Sequence, residues 1–305
     1  VLASEVLSYL RPDDKASLLL DATVGQGGHS SLFLSSFPLL HVIGIDADPR
    51  MLEHARERLA PHGERVELVH GWFDEVLDSY DWERHPDRIL FDLGVSMAHL
   101  SAEGGGFSYR DRHPLDMRLD PAEERSARDA LDLLSEEELA NVIFRFGEER
   151  LSRRIAAALM RRRDEIETAA EAAEVIRMAV PPSYRHGRIH PATRTFQALR
   201  IWVNRELERV ERALPAAIAQ LAPGGIVGVI SFHSLEDRVV KHYFKNLSTS
   251  LAEAPTSFDE KDYRLELLTK KPVVPTEDEA RSNPASRSAK LRVARKVAVD
   301  EGGNG

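Results

Sequence analysis

Residues 18–29 read Leu18-Leu-Leu-Asp21-Ala-Thr-Val-Gly25-Gln-Gly27-Gly28-His29, an apolar run followed by a glycine-rich turn and the start of a helical pattern. This order is typical of the first strand, loop and helix of a doubly wound α/β sheet. Glycines allow the backbone to approach a ligand closely, and the first turn of a helix presents free N–H groups. The stretch therefore predicts a site for a nucleotide-like cofactor at the carboxyl end of the first strand.

The following segments alternate short apolar runs with helical patterns, as in a parallel sheet. Strands are predicted at 18–22, 41–46, 66–70 and 88–92, with helices at about 28–36, 49–60 and 73–80. From about 102 to 190 the sequence is helical and polar. Ser135 with Glu138 and Thr168 with Glu171 form capping-box patterns that predict two helix starts there.

The C-terminal part returns to the α/β pattern. It predicts a long helix over about 191–221, a buried strand over 226–232, a helix over 235–247 and two late strands over 263–268 and 291–297. The predicted fold class is α/β, with one doubly wound sheet interrupted after its fourth strand by a helical insertion. We expect residues 1–101 and 191–305 to form the sheet domain and residues 102–190 to form an inserted helical domain for substrate recognition.

The 305-residue chain contains no cysteine, which excludes a disulfide framework, a cysteine-ligated zinc or iron–sulfur cluster and a thiolate nucleophile. It has neither a signal-peptide pattern nor an apolar run of about 18 residues, the length of a membrane span. We therefore expect a cytoplasmic protein with no membrane partner. Because Val1 begins inside an apolar segment, we also expect an initiator methionine and a few residues to precede it.

The formal net charge of −9 argues against a polyanionic partner, but the charge is unevenly distributed. Residues 281–297 carry no acid, and residues 145–163 carry seven arginines. One helical face contains Arg150, Arg153, Arg154 and Arg161. A solvated amphipathic helix explains this face by itself, whereas several basic segments in an acidic protein favour a surface for a polyanion.

Two acidic residues narrow the choice of cofactor. Asp46 ends the predicted second strand 19 residues after Gly27, where a carboxylate can accept hydrogen bonds from ribose hydroxyls. Asp21 would repel the pyrophosphate of NAD, and Ser30 stands where the dinucleotide fingerprint requires glycine or alanine. Asp21 would attract the amino group and sulfonium of S-adenosylmethionine. The residues thus favour S-adenosylmethionine over NAD and over a turn that binds no ligand.

Two further strand ends contribute candidates. Phe73 follows the third strand, and its ring either covers one face of an adenine or belongs to the hydrophobic core. Asp74 would accept a hydrogen bond at the adenine edge. Asp92 ends the fourth strand and is followed by Gly94 and Ser96, where a methyl acceptor would approach.

The chain resembles the RsmH (MraW) family of bacterial small-subunit rRNA cytosine-N4 methyltransferases. The matching segments are 21–29, 45–46, 70–73, 91–96, 106–108, 114–121, 147–150, 190–204, 231–238 and 283–292. The resemblance implies a class I methyltransferase core with an inserted helical domain, and a cytidine in the decoding region of 16S rRNA as the substrate. It favours rRNA within the small ribosomal subunit over free rRNA as the substrate without deciding between them, and it leaves open whether the chain forms a homodimer.

The resemblance also implies a set of cofactor contacts. They are Gly27, Gly28, His29, Asp46, Phe73, Asp92 and His99. Position 99 is usually glutamine in the family, position 97 is commonly a small residue rather than Met97, and Gln26 stands where arginine is common. Histidine can still donate or accept one hydrogen bond, but its charge varies with pH.

The absence of cysteine also limits the reaction. Methylation of cytosine at C5 ordinarily requires a thiolate that adds to the ring, whereas direct transfer to a heteroatom requires proximity and alignment. The exocyclic amine is a poor nucleophile because its lone pair is delocalised, and a carboxylate that accepts its hydrogen bond would localise that pair. Asp92 is the candidate for this role, and Ser96 is a weaker second.

The cytidine must also be unstacked and held, typically by aromatic rings, arginine planes and edge hydrogen bonds. The candidates are Asp116, Arg118, Arg194 and His233. An alternative to substrate contact is a structural ion pair between Asp116 and Arg118. For His233 the alternative is a role in the structure of its loop. Trp202 shares a helical stripe with apolar residues and is assigned to the core.

Other classes of protein fit less well. Asp21 and Ser30 oppose an NAD-dependent oxidoreductase, and a non-catalytic RNA-binding protein would leave Asp21, Gly27 and Asp46 unexplained. No metal site is expected, because the segment between His186 and His190 favours a loop and no acids complete a ligand set.

Overall fold

The computed structural model describes residues 1–13, 17–96, 98–99, 105–110, 112–187, 189–248 and 263–298. The chain divides into two compact units. The sheet unit consists of Val1–Gly94 and Leu207–Gly305, and the helical unit consists of Val95–Glu206.

Seven strands form one sheet in the sheet unit. They are β1 (Leu18–Asp21), β2 (His41–Asp46), β3 (Val66–His70), β4 (Arg88–Asp92), β5 (Ile226–Ser231), β6 (Tyr263–Leu267) and β7 (Lys290–Ala298). Their order is β3-β2-β1-β4-β5-β7-β6, with β1 to β5 parallel and β7 antiparallel to both of its neighbours. The predicted α/β fold is confirmed, and the predicted bounds of the second, third and fourth strands match those observed.

The helices alternate with the first strands and then dominate the middle of the chain. They are α1 (Ala3–Tyr9), α2 (Gly28–Ser36), α3 (Pro49–Leu59), α4 (Phe73–Ser79), α5 (Ala130–Leu133), α6 (Glu136–Gly147), α7 (Ser152–Arg161), α8 (Ala169–Ala179), α9 (Pro182–Arg185), α10 (Thr193–Asn204), α11 (Glu206–Gln220), α12 (Ser234–Ser248) and α13 (Glu277–Ser282). Among the described residues, no helix is both long enough and apolar enough to cross a membrane.

The sheet buries both of its faces, which explains its continuous apolar runs. Leu18 and Leu20 of β1 pack into one hydrophobic cluster, while Leu19 packs into another. Alternate residues of a strand point to opposite faces, so both layers are covered. At the carboxyl edge, Asp21 pairs in register with Leu90 of β4. The acidic ends of β1, β2 and β4 therefore share one edge of the sheet.

The helical unit has its own apolar core, and local signals define its helices. Ser135 and Glu138 form a capping box at α6, and Thr168 and Glu171 form one at α8, as predicted. α6 and α10 pack closely at Gly147, where a Cβ would lie 2.4 Å from a backbone oxygen of α10. The absence of a side chain at Gly147 thus permits this helix contact.

The long helix predicted over 191–221 is wrong, because two helices occupy that segment. α10 ends at Asn204, and Arg205 has φ of 51° in the left-handed region, which interrupts the helix before α11 begins at Glu206. The buried Asn204 side chain accepts a hydrogen bond from the backbone N–H of Leu119 at 2.9 Å and donates one to the carbonyl of Met117 at 2.8 Å. These bonds fix the end of α10 within the helical unit.

The helical unit is wider than the predicted 102–190. It begins at Val95 and includes α10, because Phe196, Leu199 and Val203 are buried in the core of that unit. The helical pattern at 191–204 predicted a helix but did not indicate which core its apolar face joins.

Candidate functional site

The glycine-rich loop between β1 and α2 has the backbone that close ligand approach requires. Gly25 and Gly27 have φ of 52° and 75°, in the left-handed region that favours glycine. A Cβ on Gly27 would lie 3.1 Å from Cγ of Leu59, so a side chain here would also press against α3. Gly27 precedes α2, whose first two residues are Gly28 and His29.

Asp21 is buried at the end of β1, with 1% of its surface exposed. Its Oδ2 accepts a hydrogen bond from Ser30 Oγ at 2.6 Å, while its Oδ1 has no hydrogen-bond partner among the described residues. Burial raises the pKa of this carboxyl group, and the Ser30 hydroxyl and His29 partly offset that rise. Ser30, which interrupts the dinucleotide fingerprint, therefore holds Asp21 in place.

His29 and Asp92 lie close to each other and act electrostatically on Asp21. Nε2 of His29 lies 3.4 Å from Oδ2 of Asp92. Within the described ranges, neither ring nitrogen of His29 nor Oδ1 of Asp92 forms a hydrogen bond. The backbone N–H of Asp92 donates to Thr23 Oγ1 at 2.6 Å, which ties the loop to the end of β4. Buried polar atoms normally have partners, so this group of atoms is suited to the polar groups of a ligand.

Asp46, at the end of β2, holds the same loop from the other side. Its Oδ2 accepts a hydrogen bond from the backbone N–H of Gly25 at 2.8 Å, and its Oδ1 accepts one from that of Asp48 at 2.9 Å. A carboxylate oxygen accepts more than one hydrogen bond, so these contacts are compatible with further bonds from ribose hydroxyls.

Phe73 and Asp74 begin α4, directly after β3. The Phe73 ring is half-buried and meets Phe91 edge-on at 5.6 Å, so it belongs partly to the core. Asp74 is buried, and its oxygens accept hydrogen bonds from Arg209, at 3.0 Å, and from Arg212. Both oxygens of Asp74 are therefore engaged by α11, and its contact with an adenine edge stays a prediction.

Arg209 is the residue of this region that the sequence did not reveal. Its guanidinium pairs with Asp74 and Glu75 and also lies 3.9 Å from the centre of the Trp72 ring. It comes 135 residues after Asp74, and no local pattern distinguishes it from other helix-surface arginines. Arg209 thus holds the segment that carries Phe73.

Ser96 and His99 lie in the helical unit. The backbone N–H of Ser96 donates to Nδ1 of His99 at 3.0 Å, and Ser96 Oγ lies 3.2 Å from the same nitrogen. The buried His99 ring also contacts Phe107, with 5.3 Å between ring centres. His99 therefore orders its own loop, and its cofactor contact stays a prediction, as does the role of Ser96. Met97 lies outside the described residues.

Asp116 and Arg118 form a bidentate ion pair, with two N–O distances of 2.8 Å. Arg118 also donates to the carbonyl oxygens of Pro121 and Glu123, and the hydrogen bond to Asp116 raises its pKa. These contacts favour the structural interpretation of the pair. Their contact with substrate stays a prediction.

Arg194 and Trp202 both lie on α10. Nη1 of Arg194 donates to the carbonyl oxygen of Glu148 at 3.4 Å, and its contact with substrate also stays a prediction. Trp202 packs against the core of the helical unit, as predicted, and the Arg125 guanidinium lies 4.2 Å from its ring centre.

His233 lies in the turn between β5 and α12. Its Nδ1 accepts a hydrogen bond from the backbone N–H of Glu236 at 3.3 Å, and its Nε2 lies 3.2 Å from Glu236 Oε1. The other oxygen of Glu236 accepts from the backbone N–H groups of Phe232 and His233. His233 is thus part of a structured turn at the carboxyl end of β5, and its substrate contact is untested.

Comparison with known proteins gives a consistent result across the chain. A family model described as the MraW methylase family matches residues 1–297. The chain is 48% identical to the ribosomal RNA small subunit methyltransferase H of Treponema denticola, over 97% of this chain and 96% of that protein. Proteins of the same name in Synechococcus elongatus and Persephonella marina are 46% and 44% identical, over 97% of this chain and 94% and 98% of theirs. A putative methyltransferase of Streptococcus mutans, solved in complex with SAH, aligns over 96% of this chain and 97% of its own, with 13% identity and a TM-score of 0.44.

Proposed function

Because this chain belongs to the MraW methylase family and its relatives are small-subunit rRNA methyltransferases, we propose that it methylates the exocyclic N4-amine of a cytidine in the decoding region of 16S rRNA. The methyl donor is S-adenosylmethionine, bound by a class I methyltransferase sheet. The protein acts on this RNA within the small ribosomal subunit, in the cytoplasm.

The observation that carries the proposal is the group of buried polar atoms without hydrogen-bond partners at the carboxyl ends of β1 and β4 and the start of α2. Among the described residues these are Oδ1 of Asp21, both ring nitrogens of His29 and Oδ1 of Asp92. Two carboxylates suit the cationic ammonium and sulfonium of S-adenosylmethionine, and they would repel a pyrophosphate. Asp46 would contact the ribose of the cofactor, and Phe73 would contact its adenine. Gly27 and Gly28 have no side chains, so the cofactor can approach the backbone of the loop closely.

When bound, S-adenosylmethionine would supply an electrophilic methyl group for direct transfer to N4, with S-adenosylhomocysteine and one proton from the amine as the other products. Asp92 accepts a hydrogen bond from the amine, which localises the nitrogen lone pair and aligns it. Ser96 is a second candidate for orienting the amine. The absence of cysteine supports this direct route, because addition to the ring for C5 transfer ordinarily uses a thiolate.

The helical unit recognises the RNA in this proposal. Asp116, Arg118 and Arg194 are its proposed substrate contacts, and His233 is a further one in the sheet unit. For Asp116 and Arg118 the contact would be made by an already assembled ion pair, so they would present a fixed surface rather than two separate charges.

The decisive experiment is mass spectrometry of 16S rRNA from cells with and without the protein. We expect one N4-methylcytidine in the decoding region to disappear without it and to return with the wild-type gene. If no methylcytidine is lost, the substrate assignment fails. Calorimetry with S-adenosylmethionine and NAD tests the cofactor separately, and binding of NAD alone would favour an oxidoreductase.

A further inference from the structure

The two basic segments of the sequence have different surroundings in the structure. Residues 281–297 carry no acid in the sequence, yet each of their Lys and Arg side chains has a carboxylate or backbone carbonyl partner in the sheet unit. Arg281 pairs with Asp278 at 2.6 Å, and Arg295 pairs with Glu266 at 3.1 Å. The remaining cations of this segment are engaged as well, since Lys290 and Arg292 bind Asp237 while Arg287 and Lys296 donate to backbone carbonyls.

Three arginines at α7 lack such partners. Arg150, Arg154 and Arg161 are exposed, and the described part of the chain places no carboxylate, carbonyl or ring against any of their guanidinium groups. Nearby arginines differ, since Arg162 is paired with Glu165 at 2.7 Å. Three cations without a partner among the described residues therefore lie on one segment of the helical unit.

Arg154 and Arg161 lie on one side of α7, because they are seven residues apart, which is two helical turns or about 10 Å along the axis. Arg150 lies in the turn directly before α7, which begins at Ser152. The opposite side of α7 is anchored, because Ile155 and Leu159 are buried in the core. Packing of that side therefore directs Arg154 and Arg161 outward. We call Arg150, Arg154 and Arg161 the α7 basic face.

An exposed aromatic ring lies on the neighbouring helix. Arg153 Nη2 donates to Asn141 Oδ1 of α6 at 2.9 Å, which joins the surfaces of the two helices. Phe144 follows Asn141 by three residues on α6, and 56% of its surface is exposed. Exposed arginines and an exposed aromatic ring on adjacent helices are typical of surfaces for nucleic acid, because rings stack with unpaired bases.

We propose that the α7 basic face contacts the phosphodiester backbone of 16S rRNA, and that the basic segment 281–297 does not. The proposal rests on the proposed function and names the surface through which that substrate is held. A guanidinium without a carboxylate partner can bind a phosphate directly, whereas a paired one must first lose its existing partner. Segment 281–297 serves instead to hold the edge of the sheet.

Two triple variants with the same loss of charge test the proposal. The first is R150Q/R154Q/R161Q, and the matched control is R281Q/R287Q/R295Q. Their affinities for a 16S rRNA transcript and for small subunits from cells lacking the enzyme are measured over a series of salt concentrations. Calorimetry with S-adenosylmethionine checks that the cofactor site of each variant is intact.

We expect the α7 variant to bind both RNA samples at least about tenfold more weakly, with the slope of log affinity against log salt smaller by about two, because three phosphate contacts are lost. The control should bind within about twofold of wild type with an unchanged slope. Equal losses in both variants, or none in the α7 variant, would overturn the proposal. A loss on subunits but not on the transcript would also overturn it, since the face would then bind ribosomal protein. Failure of the proposed function would be seen in a different experiment, because rRNA from cells with and without the wild-type protein would then carry the same methylation.

Discussion

Asp21 lies at the end of β1 with one carboxylate oxygen bonded to Ser30 and the other without a partner among the described residues. Its raised pKa, caused first by burial, means that ionisation of Asp21 opposes folding. The stabilisation that comes from the protonated Asp21 carboxyl group is complete when the pH is below its ordinary pKa of 3.8. This stabilisation is lost as the pH rises through the raised pKa of the folded state. At neutral pH the protein therefore bears a cost at this residue, which a cationic ligand would offset.

Asp21→Asn should therefore have different effects on the stability of the protein and on its affinity for the cofactor. The amide keeps an acceptor for Ser30 and removes the buried charge, so the free energy of unfolding at pH 7 should be unchanged or higher. Affinity for S-adenosylmethionine should fall roughly 10- to 100-fold, as for loss of a charge-assisted hydrogen bond. Thermal unfolding and calorimetry measure the two effects. Wild-type affinity in this variant would remove Asp21 from the cofactor site.

Asp92→Ala tests the proposed role beside the acceptor amine. The side chain has one oxygen without a hydrogen bond, and its backbone N–H bond to Thr23 does not depend on the carboxylate. We expect methyl transfer to be abolished while the protein remains folded, measured by incorporation of labelled methyl groups into small subunits and by circular dichroism. Near-normal turnover would exclude Asp92 from the mechanism.

The segment after β3 depends on a helix distant in sequence. The Arg209 side chain is 4% exposed and that of Asp74 is 2% exposed, so removal of Arg209 leaves the buried Asp74 charge paired with the more exposed Arg212 alone. Arg209→Met should lower the free energy of unfolding by about 3–5 kcal/mol, the typical cost of breaking a buried ion pair. Urea unfolding measures the loss. The double variant with Asp74→Asn should recover part of it, and a fully additive loss would show that the two residues do not interact.

A second ion pair joins α12 to β7. Arg292 and Lys290 donate to Asp237, and although burial alone would raise its pKa, these hydrogen bonds hold it below the ordinary value of 3.8. The stability from this pair is therefore present above pH 3.8 and is lost as pH falls through the lowered pKa of Asp237.

Asp237→Asn should therefore lower the midpoint of thermal unfolding at pH 7 while the gap to wild type narrows below about pH 4. Unfolding curves between roughly pH 3 and 7 test this. A gap that is constant over the whole range would mean that the ionisation of Asp237 is not the source of the stabilisation.

Element by element, the sequence was most informative where side-chain chemistry acts locally. Asp48 and Pro49 start α3, and Ser135 with Glu138 starts α6, because caps satisfy the helix's own N–H groups. The break at Arg205 was missed, since it depends on Asn204 bonding to Met117 and Leu119, which are distant in sequence.

At the scale of the whole molecule, the two units have separate apolar cores. The core around Ile143 in α6 contains residues of the helical unit, whereas the clusters on the two faces of the sheet contain residues of the sheet unit. Ile143→Ala should therefore destabilise the helical unit by about 2–5 kcal/mol through loss of buried surface and the cavity left behind.

Hydrogen exchange in the native state measures this effect helix by helix. Amides of α6 and α7 should exchange faster in Ile143→Ala, while those of β1 and β4 keep their protection. Equal acceleration in both units would mean that they unfold as one cooperative body.

Local periodicity and residue chemistry were enough to establish the α/β class, the positions of the first strands, the glycine-rich loop and the acidic residues at the strand ends. They also indicated the family, through motifs spread along the chain. Three features emerged only from the fold: Asp74 is an ion-pair residue, α10 belongs to the helical unit, and the cations of 281–297 have partners whereas three arginines at α7 have none among the described residues. Each of these depends on partners far apart in the sequence, whose proximity no local pattern records.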